Sequence, residues 1–302
     1  MIYLFGYDAV ALFLQWLSVE TILHYLLRTM KKMKNAPVVV MNFSGAYDLE
    51  DFDDNSDIIN LDFRHVAGTA GYCSADAARV IRERISGYGP RGIHFLDSGD
   101  YHYVSKFWTD MIHTPFSLVL IDHHTDMQDA RADGMLSCGG WVKAVIEENP
   151  MLKHVFVLGV PKASAMNVDE ALLSKVTFVT EQEFHDILDG IKEPASGETI
   201  YISIDKDVLS TKDAVTNWDQ GDMREADLRR FLVHQVEREN VIGVDVCGEY
   251  PIVSNLFANE VHAEMDSEAN MGILLAIAKA KSIRQHSGER GEIPQTALAS
   301  LA

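Results

Sequence analysis

Eight short apolar runs, separated by longer amphipathic stretches, limit what this chain can fold into. They occupy residues 38–42, 58–63, 92–96, 116–121, 154–160, 176–179, 199–204 and 241–246. Several are continuous rather than alternating, the pattern of strands buried on both faces of a parallel sheet. The intervening stretches 74–85 and 224–239 have helical spacing, the first with Ala77, Ala78, Val80 and Ile81 inward and Asp76, Glu83 and Arg84 outward. A last apolar helix is expected over 269–281. At 302 residues and 47% hydrophobic composition, the chain can bury a core of this size. The expected fold class is α/β: a three-layer α/β/α domain over 34–283 with a mainly parallel sheet of about eight strands.

The two ends read differently. Residues 1–33 form an apolar extension, expected to lie outside the fold. Its apolar run 9–19 is bounded by Asp8 and Glu20 and falls short of the ~20 residues a bilayer span needs. Basic residues follow the run rather than precede it, unlike a secretory signal. A membrane is therefore not expected as a partner unless 1–32 anchor the chain. Residues 284–302 read as a flexible tail. A net charge of −19 opposes nucleic acid as a partner. Three widely spaced cysteines, Cys73, Cys138 and Cys247, argue against a disulfide framework and fit a reducing, cytoplasmic location.

Chemistry concentrates at the carboxyl ends of the apolar runs, where open α/β sheets bind ligands. Run 116–121 is followed by Asp122-His123-His124-Thr125-Asp126, and run 199–204 by Asp205-Lys206-Asp207. If strand geometry persists, Asp122, His124 and Asp126 share one side, and so do Asp205 and Asp207. Carboxylates gathered in one crevice repel unless paired or metal-bound. A pair of divalent cations is the simplest device that gathers them, and mixed imidazole and carboxylate donors suit Mn²⁺, with Zn²⁺, Fe²⁺ or Co²⁺ as other choices. His102 follows a third strand end after a glycine turn. Glu249 follows the last and could receive a cationic group, with Asp245 competing for that role.

These segments resemble, in order and spacing, the arginase–agmatinase–formiminoglutamase (ureohydrolase) family over roughly residues 38–281. Its Asp-x-His-x-Asp motif is matched at Asp122–Asp126 and its Ser-x-Asp-x-Asp motif at Ser203–Asp207. The resemblance implies an arginase-like sheet, two Mn²⁺ ions and a homo-oligomer. Asp122 and Asp205 would bridge the ions, His102 and Asp126 would complete one site, and His124 and Asp207 the other. It further implies hydroxide attack on the planar carbon of a small-molecule guanidino or amidine substrate, with Asp126 accepting a proton and Glu249 pairing with the substrate's nitrogens.

The substrate shell departs from the family pattern. The first histidine sits in Gly99-Asp-Tyr-His102, one residue longer than the family's Gly-Gly-Asp-His. The loop that usually holds a shuttle histidine reads Gly134-Met-Leu-Ser-Cys-Gly-Gly-Trp141, with Ser137 or Cys138 in its place. The family's Glu-x-Asn-Pro reads Glu249-Tyr-Pro251. Ser137, Cys138, Trp141, Asn217, Trp218 and Glu249 are the candidate substrate contacts, and L-arginine itself is not the expected substrate. Two alternatives stand: a single-zinc deacetylase-type amidohydrolase, and a metal-retaining binding protein without turnover.

Overall fold

The computed structural model describes residues 37–52, 58–129, 134–188 and 199–291; side chains at 181, 256 and 282–291 are not part of that description. The extension at 1–33 and the tail from 292 lie outside the described residues.

All eight apolar runs are strands of one sheet: β1 (Val38–Asn42), β2 (Ile58–Asp62), β4 (Gly92–Phe95), β5 (Phe116–Ile121), β7 (Leu152–Leu158), β8 (Val176–Val179), β9 (Thr199–Asp205) and β10 (Asn240–Cys247). The order is β2-β1-β4-β10-β9-β5-β7-β8, and every pair is parallel. A separate antiparallel pair joins β3 (Tyr72–Cys73) to β6 (Leu136–Ser137).

Alternation along each strand feeds two cores. Val119, Ile121, Ile202, Ile204, Val244 and Val246 face one side, with Leu228 and Phe231 of one helix and Ile273 and Ile277 of another. Leu118, Leu120 and Tyr201 face the other, with Ile81, Phe107, Trp108 and Val142. Burying each large apolar side chain contributes about 1.5–3 kcal/mol. The second layer holds α1 (Ala75–Ile85), capped by Ser74 accepting from the Ala77 N–H, α2 (Val104–Thr109) and α3 (Trp141–Glu148). Beyond the four-residue α4 (Lys162–Ala165), the first layer holds α5 (Glu181–Leu188), α6 (Glu225–Arg238) and α7 (Leu256–Gly291).

Several boundaries differ from expectation: β2 and β4 each stop one residue earlier, and β7 spans 152–158 rather than 154–160. The last helix begins at Leu256 rather than 269 and continues through 284–291, which had read as tail. Strands β9 and β10 each run one residue further, so Asp205 and Cys247 are strand residues. Among the described residues, no helix is long and apolar enough to cross a membrane.

The strands made last, β9 and β10, lie between β4 and β5. The carboxyl ends of these four strands therefore meet at the sheet's centre, where the order reverses.

Candidate metal centre

Each donor is delivered by a local device. After β4, Asp97 adopts a left-handed conformation (φ 72°) and its carboxylate accepts from the backbone of Phe43, Ser44 and Ser98 and from the Ser44 hydroxyl. That clamp starts a 3₁₀ turn, Gly99–Tyr101, whose C-cap is His102. A side chain at Gly99 would press on the Trp218 ring and on Asp205 Oδ2, so glycine is what lets the turn lie against the cluster.

After β5 the strand geometry does not persist. The chain bends at His123 and His124, and Asp126 takes a left-handed φ of 49°. Asp122, His124 and Asp126 nonetheless converge, because backbone N–H groups hold the carboxylates in place. His123 N–H donates to Asp207 Oδ1 at 3.0 Å, and His124 N–H to Asp122 Oδ1 at 2.5 Å. Asp205 Oδ1 accepts the Asp207 N–H at 3.0 Å, closing the turn Lys206–Val208. The expected period-two arrangement is thus replaced by turns at both sites.

His102 Nδ1 lies 3.0 Å from Asp126 Oδ2, 3.3 Å from Asp122 Oδ2 and 3.5 Å from Asp205 Oδ2. Despite that crowding, His102 Nδ1 and Asp122 Oδ2 are buried and make no hydrogen bond. Behind the ring, His102 Nε2 meets Ser203 Oγ at 2.9 Å, and Ser203 donates to Asp245 Oδ1 at 2.5 Å. The chain of donors makes Nε2 a proton donor to Ser203 and leaves Nδ1 facing the carboxylates. On the other flank, His124 Nδ1 is 2.8 Å from Asp207 Oδ2 and 3.6 Å from Asp122 Oδ1.

Two donor groups can each hold a cation, His102–Asp122–Asp126 and Asp122–His124–Asp207, and they share Asp122. The electrostatics agree. Burial, with the charges of Asp205 and Asp122, pushes Asp207 well above the usual carboxylate range, and burial with Asp122 raises Asp205. Burial and Asp122 lift Asp126 to about 6. His124 is drawn up to about 12 by Asp122 and Asp207. Burial would lower His102, but Cys247, Asp122 and Asp126 outweigh it and raise it. A cluster that pulls protons onto both histidines and three carboxyls is short of positive charge, which divalent cations supply. The residues fit the metal pair that the motifs imply.

The cluster floors a cleft lined by Gly71, Tyr72, Gln128, Ser137, Cys138 and Trp218 together with His124, Asp126, Asp205 and Asp207. Trp218 lies edge-on to His124 and donates to Asp100 Oδ1 at 3.2 Å.

Residues 92–264 match the sequence profile of the Arginase family, more than half of the chain and all of the cluster. The chain belongs to the arginase family. Over 158 residues it is 30% identical to an uncharacterised protein of Thermotoga maritima; the match covers 52% of this chain and 58% of that relative's length. The fold is similar to that of proclavaminate amidino hydrolase from Streptomyces clavuligerus, with TM-score 0.60 and 17% identity over 81% of this chain and 92% of that one. It is also similar to Trypanosoma cruzi formiminoglutamase with Mn²⁺, with TM-score 0.59 and 11% identity over 84% and 98% of the two chains.

Within this arginase-family cleft, three expected substrate contacts lie elsewhere. Glu249 is fully buried, its Oε2 2.5 Å from Lys206 Nζ and its Oε1 accepting from Asn270 at 2.9 Å. It lies behind the turn Lys206–Val208 because Lys206, between Asp205 and Asp207, points away from the cluster and needs a counter-charge. Trp141 is also buried; its indole N–H donates to Asp126 Oδ2 at 2.7 Å, so it orients Asp126 rather than lining the wall. Asn217 is exposed and does not line the cleft. Trp141→Phe is expected to weaken divalent-cation binding about tenfold, read by calorimetric titration, because it removes a hydrogen bond that holds Asp126.

The sequence showed Ser203 only as a motif residue and Asp245 only as a candidate for a cationic group, whereas both stand behind His102; it gave no role to Asp219, whose Oδ1 is 3.0 Å from His124 Nε2, or to Cys247 beside Asp205. Register supplies the signal for the last: Cys247 and Asp205 are direct partners in β10 and β9. Cys138 does line the cleft, but burial and the charges of Asp126 and Asp100 push its thiol to about 12; burial pushes Cys73 to about 11. The folded, metal-free protein is expected to react with iodoacetamide at pH 8 about a hundredfold more slowly than the denatured chain. A fast thiol mapped to Cys138 by peptide mass would revive it as a nucleophile.

Proposed function

We propose that this protein is a binuclear-metal hydrolase of the C–N bond in a linear guanidino or amidine compound other than L-arginine. The observation that carries the reading is the pair of donor groups sharing Asp122, with His102 Nδ1 and Asp122 Oδ2 buried 3.3 Å apart between them and neither making a hydrogen bond. In this reading Mn²⁺ is held by His102, Asp122, Asp126 and Asp205 in one site and by Asp122, His124, Asp205 and Asp207 in the other. Bound there, two divalent cations lower the pKa of water toward neutrality and stabilise charge that develops on the substrate.

The chain's own groups do the rest. Asp126 borders the cleft and takes the proton of the attacking water. Ser203 and Asp245 keep the His102 lone pair on the cluster, and Trp141 keeps Asp126 from rotating away. Trp218 and Tyr72 form walls, and Gln128 and Ser137 offer hydrogen bonds. Beyond the proposed ligands, the described lining offers no cation to the carboxylate of L-arginine, and the charged groups held against it, Asp219 on His124 and Asp100 on Trp218, are themselves carboxylates.

The test is metal content after loading with Mn²⁺, coupled to urea and ammonia release across guanidino and amidine compounds. Two ions with urea support guanidine hydrolysis; two ions with ammonia alone support formimino-type hydrolysis. A single ion would favour a deacetylase-type site, and no ion would overturn the reading.

A further inference from the structure

The cluster has a donor that neither motif contains. Cys247 is the last residue of β10, paired in register with Asp205, the last residue of β9. Parallel register puts both side chains on the same face of the sheet. The thiol donates to Asp205 Oδ2 at 3.1 Å, and that same oxygen is 3.5 Å from Nδ1 of His102, which makes no hydrogen bond. Both side chains are buried, His102 to within 1%. One donor atom each from His102, Asp205 and Cys247 lies within 4.8 Å of the others, a third group able to hold a cation.

The backbone brings the thiol this close. Gly248 follows with a φ of 99°, and a side chain on it would lie 2.6 Å from Asp205 Oδ1 and 2.7 Å from the Lys206 nitrogen. Only glycine lets the end of β10 press against the Asp205 turn in this way. Gly248 itself brings no side chain to the cluster, and the Cys247 sulfur is a donor within 4.8 Å of those of His102 and Asp205.

We infer that Cys247 is a thiolate ligand to the cation held by His102 and Asp205, giving the two sites different metal preferences. This inference rests on the binuclear reading above. On coordination the S–H bond breaks, a metal–sulfur bond forms and the proton leaves to the buffer; no oxidant or reductant is needed. A soft sulfur donor favours Zn²⁺ or Co²⁺ over Mn²⁺, whereas the Asp122–His124–Asp207 group, without sulfur, suits Mn²⁺.

The experiment is a Co²⁺ titration of the metal-free full chain, followed by near-ultraviolet absorption. A sulfur-to-cobalt charge-transfer band is expected to grow to one equivalent, to vanish in Cys247→Ser and to survive in Cys138→Ser. In Cys247→Ser the preference for Zn²⁺ over Mn²⁺ is expected to fall by on the order of tenfold. X-ray absorption of the unsubstituted Co²⁺ protein, which does not depend on any variant folding, should find one sulfur at ~2.3 Å, the distance typical of a zinc–thiolate bond. Cobalt uptake without the band and without the sulfur shell, or a band that persists in Cys247→Ser, overturns the inference and leaves the binuclear reading standing. No cobalt uptake at all overturns both.

Discussion

Asp122→Ala and Asp205→Ala proteins are expected to lose bound Mn²⁺ and activity together, with kcat/KM falling by roughly 10⁴-fold or more. The magnitude follows from the role of the cations: without them water keeps a pKa near 15.7 rather than ~7. Stability should move the other way. The metal-free cluster crowds four carboxylates, and Asp122 and Asp205 raise Asp207 by their charges. Asp205→Asn keeps the side-chain volume and can still accept from the Asp207 N–H, so in chelator its Tm is expected to equal or exceed that of the unsubstituted protein. Adding Mn²⁺ at a hundred times Kd should stabilise the unsubstituted protein by about 2.7 kcal/mol and the variant by much less. Retention of two ions by either alanine variant would sink the bridging assignment.

Lys206→Met is expected to destabilise the fold by about 3–5 kcal/mol in urea denaturation at pH 7. Lys206 is fully buried, with Glu249 Oε2 at 2.5 Å and Asp266 Oδ1 at 3.6 Å, both also buried. Asn270 ties Glu249 to Glu50, so three acids surround one lysine. Removing the lysine leaves buried charge without a partner, which costs more than the intact pair contributes. The deficit should be larger at pH 8 than at pH 5. Burial lifts Asp266 to about 7 even though Lys206 opposes the shift, and burial raises Glu50. For such carboxyls the folded state binds more protons than the unfolded chain between the ordinary value and the raised one. Stability is therefore lost as pH rises through that window. Glu249→Gln offers a second check: the network predicts a change in denaturation midpoint. A change confined to KM would return Glu249 to the substrate.

The sheet was legible because strands buried on both faces leave continuous apolar runs, and those runs survive any error in local propensity. The clustering of His102, Asp122, His124, Asp126, Asp205 and Asp207 was legible because their motifs place charge at strand ends, where packing has no use for it. Turn geometry was not. Whether Asp126 takes a positive φ, or Glu249 turns inward, depends on partners such as Trp141, Lys206 and Asn270. None is a local neighbour: Trp141 is 15 residues from Asp126, and Lys206 and Asn270 are 43 and 21 residues from Glu249. Lys206 was the missed clue: a lysine between two ligands of one turn must go somewhere, and its counter-charge fixes where Glu249 goes. Cys247 was invisible for a related reason, since its neighbour is set by register between strands far apart in sequence.

The position of β9 and β10 in the sheet also bears on how the molecule is made. His102, Asp122, His124 and Asp126 emerge from synthesis well before Asp205 and Asp207, yet the later strands must enter between β4 and β5. His102 follows β4 while Asp122, His124 and Asp126 follow β5, so until that seam closes the donors of neither proposed cation site are gathered. Ion capture would thus act as a latch on the last-formed seam, joining segments whose long sequence separation makes their meeting slow. A cell short of the right cation would then accumulate not only idle protein but chains whose two halves separate more readily.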